Sequence, residues 1–199
     1  IDKLILGYNH CFGHKRQGNY LFLKKNKKKY RFDIQEIQKK EISSDLSISS
    51  SAIRENIRSG NLLDANKMLG YRYFFKGKVI KGDGIGKKLG YPTANIEPLD
   101  TSILIPKNGV YVGEVVIDDK LYGCMINIGI RPTVNGKERR TDLHIFHFKS
   151  MLYDKIIIIK FIKKMRDERK FINIEELKNQ LKKDELESLK LLKNEKIRN

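Results

Sequence analysis

Strand-like runs at residues 73–80, 109–117, 120–128, 141–148 and 156–162 follow one another with only short turns and loops between them. Each is rich in β-branched or aromatic side chains and bounded by turn residues, the pattern of extended chain. Asp118-Asp119 separates two of the runs as a hairpin turn, and Asn135-Gly136 is a strong hairpin signal, because such residues accept the positive φ of a two-residue turn. So many short strands in so small a unit point to a closed antiparallel barrel, which hides its strand edges. After the strands, Asn173 can cap a helix to about residue 193, with Ile174, Leu177, Leu181, Leu186, Leu189 and Leu192 as its apolar positions and a phase slip near Asp184. That helix is expected to pack on the core. A coiled coil would need a longer unbroken seam.

The first seventy residues read as another unit. Leu4-Ile-Leu6 suggests a short buried strand, residues 7–19 a polar glycine-bearing loop, residues 20–23 the start of a helix or strand, and residues 30–34 a further strand. Together they suit the later half of an α/β nucleotide-binding domain. A helix is expected from Ser50 to Arg58, and Gly60 and Gly70 bracket a second, residues 61–69, that hands over to the barrel. The expected domains are therefore residues 1–70 and 71–199.

With 199 residues and 40% hydrophobic content, the chain can bury a core in one or two domains. No apolar run nears the ~20 residues of a membrane span. The first residues do not resemble a signal peptide. Cys11 and Cys124 have neither metal nor disulfide spacing, and a reduced, cytoplasmic setting is the default. A net charge of +17 raises nucleic-acid binding, but the 41 basic residues are spread among 24 acidic ones. The one dense cluster, Lys24-Lys-Asn-Lys-Lys-Lys29, falls where a turn between strands is expected. His10 and His14 have helical metal-pair spacing, yet Gly7 and Gly13 argue for a loop and no third ligand follows.

The chemistry concentrates in Lys81-Gly-Asp-Gly-Ile-Gly-Lys-Lys-Leu-Gly-Tyr-Pro-Thr-Ala-Asn-Ile96. Gly82, Gly84 and Gly86 let the backbone turn and bring its N–H groups close to a bulky anion. Lys87 and Lys88 add charge for that anion, and Thr93 and Asn95 are hard oxygen donors suited to Mg2+. The glycines sit two apart, which matches neither the dinucleotide fingerprint nor a Walker loop.

Gly-x-Gly-x-Gly-Lys-Lys-Leu-Gly-Tyr-Pro-Thr-Ala-Asn resembles the signature of riboflavin kinases, and with it the bacterial bifunctional riboflavin kinase/FAD synthetase family. Asn108-Gly-Val-Tyr111 and Asn127-Ile-Gly-Ile-Arg-Pro-Thr133 are similar to further segments of that family. The resemblance implies an α+β protein: a six-stranded antiparallel Greek-key barrel with a C-terminal helix, preceded by a partial α/β nucleotidyltransferase domain. It implies transfer of the ATP γ-phosphoryl group to the ribityl 5'-hydroxyl of riboflavin, giving FMN, with Mg2+ required. Gly82, Gly84, Gly86, Lys88 and Thr93 would meet the nucleotide, and Thr93 and Asn95 the metal.

The family's glutamate, two residues before a histidine on a late strand, is matched by Asp142 in Arg140-Thr-Asp-Leu-His-Ile-Phe146, so Asp142 is the expected base. Period-two alternation puts Asp142, His144 and Phe146 on one face. Unaided by the resemblance, Asp142 could equally be an edge aspartate paired with Arg139 or Arg140. Leu152-Tyr153-Asp154 departs from Leu-Tyr-Gly, so Asp154 must adopt a turn conformation natural to glycine. Arg166 and Arg169, in a stretch similar to Arg-x-Glu-x-x-Phe, would face flavin or phosphate.

In the first unit, residues 7–19 resemble the family's Gly-x-Asp-Phe-x-Phe-Gly-x-x-Arg-x-Gly-Asp element, with Asn9 in place of aspartate. Ile48-Ser-Ser-Ser-Ala-Ile-Arg54 resembles Ile-Ser-Ser-Thr-x-Ile-Arg, so Ser49, Ser50 and Arg54 would handle nucleotide phosphates. The His-x-Gly-His motif of such adenylyltransferases is absent, as though the chain opened in mid-domain. Two rivals remain from sequence: a basic barrel module that binds nucleic acid (RNA) or a phosphate-rich partner, and a flavin-binding protein that has lost catalysis through Asp142. The partners expected are the small molecules riboflavin and ATP, with FMN a further candidate and no specific nucleic acid or membrane.

Overall fold

The computed structural model describes residues 1–38, 41–43, 46–82, 84–133 and 136–198, with the backbone alone for residues 30, 41–43, 46–47, 85, 88, 131–133, 136–138 and 196–198. It divides into two compact units, Ile1–Ser49 and Ser50–Asn199.

In the first unit, β1 (Lys3–Gly7) and β2 (Asp33–Ile37) pair in parallel, Lys3 opposite Asp33 through Gly7 opposite Ile37. The connection between them carries a single 3-10 turn (His14–Arg16) and helix α1 (Tyr20–Tyr30). β3 (Glu41–Ser43) and β4 (Leu46–Ser47) form a small antiparallel pair. Strand–helix–parallel strand is the element order of an α/β layer. Two expectations need correction. Residues 24–29 are not a turn: they are the body of α1, because the Asn19 side chain caps it, accepting from the Phe22 N–H at 2.9 Å, and lysine is a good helix former. β1 is also not buried throughout, since Ile5 is 58% exposed.

The second unit opens with α2 (Ser50–Ser59) and α3 (Leu62–Leu69), the latter ended by Gly70 at φ 76°. By packing, these helices go with the barrel, so the first compact unit ends at Ser49 rather than at the expected residue 70. The reason is visible at Asn66. Its carboxamide donates to the Phe161 carbonyl at 3.0 Å and accepts from the Tyr73 N–H at 2.7 Å, while Leu62 joins the barrel core.

Six strands close the barrel: β5 (Phe74–Ile80), β6 (Ala94–Pro98), β7 (Gly109–Ile117), β8 (Lys120–Thr133), β9 (Gly136–Ile145) and β10 (Ile156–Arg166). Their order is β10-β5-β6-β9-β8-β7, with β7 paired back onto β10 and every pairing antiparallel. β7, β8 and β9 form a meander and β10 returns beside β7, which is the Greek-key order. The hairpin at Asp118-Asp119 is present, both residues at positive φ (47° and 61°). The turn expected at Asn135-Gly136 lies outside the described residues except for Gly136, which pairs with Thr133. Asp154 takes φ 65°, the conformation that glycine would adopt freely.

Alternation along the strands sorts side chains to two cores. Phe75, Val79, Ile96, Ile126, Leu143, Ile145, Ile157 and Phe161 belong to the main cluster. Val112, Met125, Phe146 and Ile162 form a second cluster with Leu192 of α5 (Ile174–Arg198). α5 starts as expected, the Glu176 N–H donating to the Asn173 side chain at 2.8 Å. Two of its expected apolar positions do not reach the core: Ile174 is 63% and Leu186 53% exposed. The phase slip has a physical cause, because Asp184 occupies the buried face at 2% exposure.

Candidate active site

The glycine stretch folds into one short helical turn, α4 (Ile85–Lys88), entered through Gly84 at φ 68°. Its exit folds back on its start: the Tyr91 N–H donates to the Gly86 carbonyl at 2.9 Å, as does the Leu89 N–H at 3.0 Å. Immediately afterwards the chain enters β6, a strand that the sequence pattern alone did not reveal. Ala94-Asn-Ile-Glu-Pro98 sits in the middle of the sheet, Asn95 opposite Ile80 on one side and Asp142 on the other.

Two glycines are required by close approach. A Cβ on Gly82 would lie 1.8 Å from the Asn95 carboxamide nitrogen, and one on Gly86 2.3 Å from the Tyr91 carbonyl and 3.0 Å from the Thr93 hydroxyl. Loop and strand are thus packed backbone against side chain, and the glycine turn is held against the two expected metal ligands.

Register places Asn95, Asp142 and Asn127 side by side across β6, β9 and β8. All three point away from the main core, as Leu143 and Ile145 point into it. Asn95 and Asp142 are 6% and 5% exposed, and Asn95 Oδ1 has no hydrogen-bond partner among the described residues. A buried carbonyl oxygen left so is the kind of atom a cation or water would satisfy. Arg139 is not the partner of Asp142: its guanidinium goes to the 105–108 loop, with Asn108 Oδ1 at 3.0 Å and the Pro106 carbonyl as acceptors.

Asp142 and Asn127 open onto a cavity of about 260 Å³. Gly86, Tyr91 and Thr93 line it from the loop, Met125 and His144 from the barrel, Arg166, Glu168, Arg169 and Phe171 from the segment after β10, and Leu177, Leu181 and Asp184 from α5. Its wall therefore mixes apolar and aromatic side chains with polar ones, as ligand sites commonly do. A second cavity of about 280 Å³ lies across Thr93, lined among others by Lys87, Pro92, Thr93, Phe148, Met151 and Tyr153.

The α5 side is held by charge. Arg166 meets buried Asp184 two-pronged, Nη2 to Oδ2 at 2.7 Å and Nε to both oxygens at 3.1 Å. Gln180 donates to Asp184 Oδ1 at 2.7 Å and accepts from Arg169 Nη2 at 2.9 Å, while the Arg169 guanidinium lies 4.7 Å from the centre of the Phe171 ring. Tyr91 Oη donates to Glu185 Oε2 at 3.0 Å, and burial first, then that carboxylate, pushes the Tyr91 phenol up to about 12.

Of the residues singled out from sequence, Gly86, Thr93, Asp142, Arg166 and Arg169 line one cavity, and Gly82 and Asn95 back it. Gly84 is exposed at the mouth of the loop, and the Lys88 side chain lies outside the described residues. Asn9 and Ser49 lie in the first unit and Ser50 and Arg54 on α2, all outside this cavity. Asn127, Tyr91 and Phe171 are site residues that lay within family-resembling motifs without an individual role assigned, and Asp184 is one that only the phase slip marked.

The sequence model of the Flavokinase family, described as Riboflavin kinase, matches residues 69–192. The chain belongs to the riboflavin kinase family. It is 36% identical over 187 residues to the bifunctional riboflavin kinase/FMN adenylyltransferase of Escherichia coli K12, covering 94% of this chain and 59% of that protein. The Bacillus subtilis protein of the same name is 38% identical over 153 residues, 75% of this chain and 48% of that one. The chain thus spans about half to three-fifths of these relatives. Among solved structures, that of a Streptococcus pneumoniae macrolide-efflux protein superposes with a TM-score of 0.81 at 32% identity, over 90% of this chain and 57% of that one. No helix among the described residues is long and apolar enough to cross a membrane.

Proposed function

We propose that this chain transfers the γ-phosphoryl group of ATP to the ribityl 5'-hydroxyl of riboflavin, forming FMN and ADP. The observation that carries the reading is the pairing of Asn95 with Asp142 across β6 and β9, at the seam where two cavities share Thr93. The aromatic and apolar cavity takes the flavin, whose ribityl chain ends at Asp142. The cavity across Thr93, with Lys87 on its wall, takes the nucleotide, and the turn from Gly82 to Lys88 faces the phosphates.

Magnesium fits the donor set, because Asn95 Oδ1 is buried with no partner among the described residues and the Thr93 hydroxyl stands on the same loop exit. Two neutral oxygens hold such an ion only together with nucleotide phosphates. When bound, the ion neutralises charge on the transferred group. Asp142 accepts the proton of the attacking hydroxyl. Its side chain is one methylene shorter than glutamate, so it works from a recessed, 5% exposed position and orients the hydroxyl at close range or through water. Arg166 and Arg169 act from the far wall. Arg166 is already committed to Asp184, so it borders the flavin as a fixed donor rather than a mobile phosphate clamp.

The first unit is read as part of an FMN adenylyltransferase domain, the second activity in the relatives' names. Asn9 and Ser49 are its nucleotide-facing residues, and Ser50 and Arg54, at the start of α2, are phosphate-handling residues by the same family resemblance. FMN is the product expected of the barrel, in a cytoplasmic setting. Incubation of the chain with riboflavin and magnesium–ATP, followed by chromatography of the flavins, tests this. FMN that accumulates only with magnesium supports the reading, and unchanged riboflavin refutes it.

A further inference from the structure

His144 has no role in the reaction as derived so far, yet it sits two residues beyond Asp142 on the same strand face and lines the same cavity. Its ring is wedged between Tyr91 and Phe146, with edge-on centroid distances of 5.1 and 5.7 Å. Nδ1 lies 2.9 Å from the Pro92 carbonyl oxygen. A carbonyl can only accept, so Nδ1 carries the proton and, in the neutral ring, Nε2 is the acceptor. Pro92 immediately precedes Thr93, has no N–H of its own, and follows the Tyr91 amide that is bonded to Gly86. The Nδ1–H bond therefore crosses from the strand of the base to the loop that turns around the phosphates.

We propose that His144 is a positioning residue for the magnesium–nucleotide: its Nδ1–H holds the Pro92 carbonyl, and through it the Thr93 hydroxyl, at a fixed offset from Asp142. The proposal rests on the kinase reading and adds to it which group sets the spacing between base and metal-binding loop. It also explains the mixed character of the contact. Ring packing fixes the imidazole plane, and the hydrogen bond converts that fixed plane into a fixed loop.

The test compares three variants for binding of magnesium–ADP and of riboflavin, each measured alone by calorimetry and flavin fluorescence. His144→Asn keeps an N–H at the δ position, His144→Gln offers one only near the ε position, and His144→Phe keeps a ring without a donor. Loss of one such bond weakens magnesium–ADP binding about tenfold in the Gln and Phe variants. The Asn variant retains magnesium–ADP binding to within about threefold; because His144 also lines the flavin cavity, riboflavin affinity follows the size of the new side chain and not the position of its donor. Equal effects of Asn and Gln on magnesium–ADP binding overturn the proposal and leave His144 as packing.

A measurement on the unaltered protein needs no variant to fold. Long-range proton–nitrogen spectra of the imidazoles, with His144 assigned among the four histidines by sequential backbone and side-chain correlations, should show the Nδ1–H tautomer at alkaline pH. An Nε2–H ring overturns the proposal. Failure of the unaltered chain to bind magnesium–ADP would instead sink the kinase reading and take this proposal with it.

Discussion

Replacement of Asp184 by alanine tests whether the wall of the proposed flavin cavity is built by a buried ion pair or merely decorated by one. Asp184 is 3% exposed at its side chain and Arg166 21%, and three N–O distances between 2.7 and 3.1 Å join them. Breaking a fully buried pair costs about 3–5 kcal/mol, because the surviving charge is left without compensation. Arg166 keeps some relief: a fifth of its side chain is wet, and its Nη1 still donates to the Asp167 carbonyl at 3.1 Å. Against that, Gln180 Nε2 loses its acceptor.

The balance is a loss of about 2–3 kcal/mol for Asp184→Ala, a drop of ~5–10 °C in Tm for a unit of this size. Urea unfolding of Asp184→Ala, Arg166→Ala and the double variant gives the coupling directly, expected at about 1.5–2.5 kcal/mol. A coupling near zero, or a single-variant loss under ~0.5 kcal/mol, would show that α5 is held by Leu189 and Leu192 alone. The premise that Arg166 is fixed before flavin arrives would then fall.

Asp142→Asn keeps the shape of the site and removes the base, so kcat for FMN formation should fall by about 10²–10⁴ while riboflavin still binds; an undiminished rate in the chromatographic assay would dismiss Asp142 as base. Gly82→Ala must push Asn95 aside, since its Cβ would lie 1.8 Å from the carboxamide. A stability loss of about 1–3 kcal/mol and weakened magnesium–ADP binding are expected, and unchanged values on both would mean that the loop is not packed as described. Burial pushes Tyr73, Tyr91 and Tyr111 up to about 12. With folded values above the ordinary 10, their contribution is complete below pH 10 and is lost as pH rises toward 12, so the urea midpoint should fall over that window; phenolate absorbance rising wholly near pH 10 would contradict it.

What was legible in the sequence was whatever depends on neighbours along the chain. Alternation exposed five of the six barrel strands, Asp118-Asp119 announced its hairpin, Asn173 its helix cap and Gly70 its helix end, because each is settled within a few residues. The sixth strand, Ala94–Pro98, escaped since it is the tail of the glycine motif, and its extended form is imposed by β5 and β9 on either side. The lysine cluster was misplaced into a turn because the Asn19 cap, not the charge, decides that it is helix.

Sequence alone determined that this chain would make a small antiparallel barrel with a glycine-rich turn, an oxygen-donor pair and a carboxylate two residues before a histidine. Residue type and short spacing carry that information, and neither depends on what lies across the molecule. Only the tertiary structure decided that Asn95 stands beside Asp142, that Arg166 is spent on Asp184, and that α2 and α3 belong with the barrel. Those are meetings between residues eighteen or more positions apart, fixed by strand register and by burial that no local pattern records.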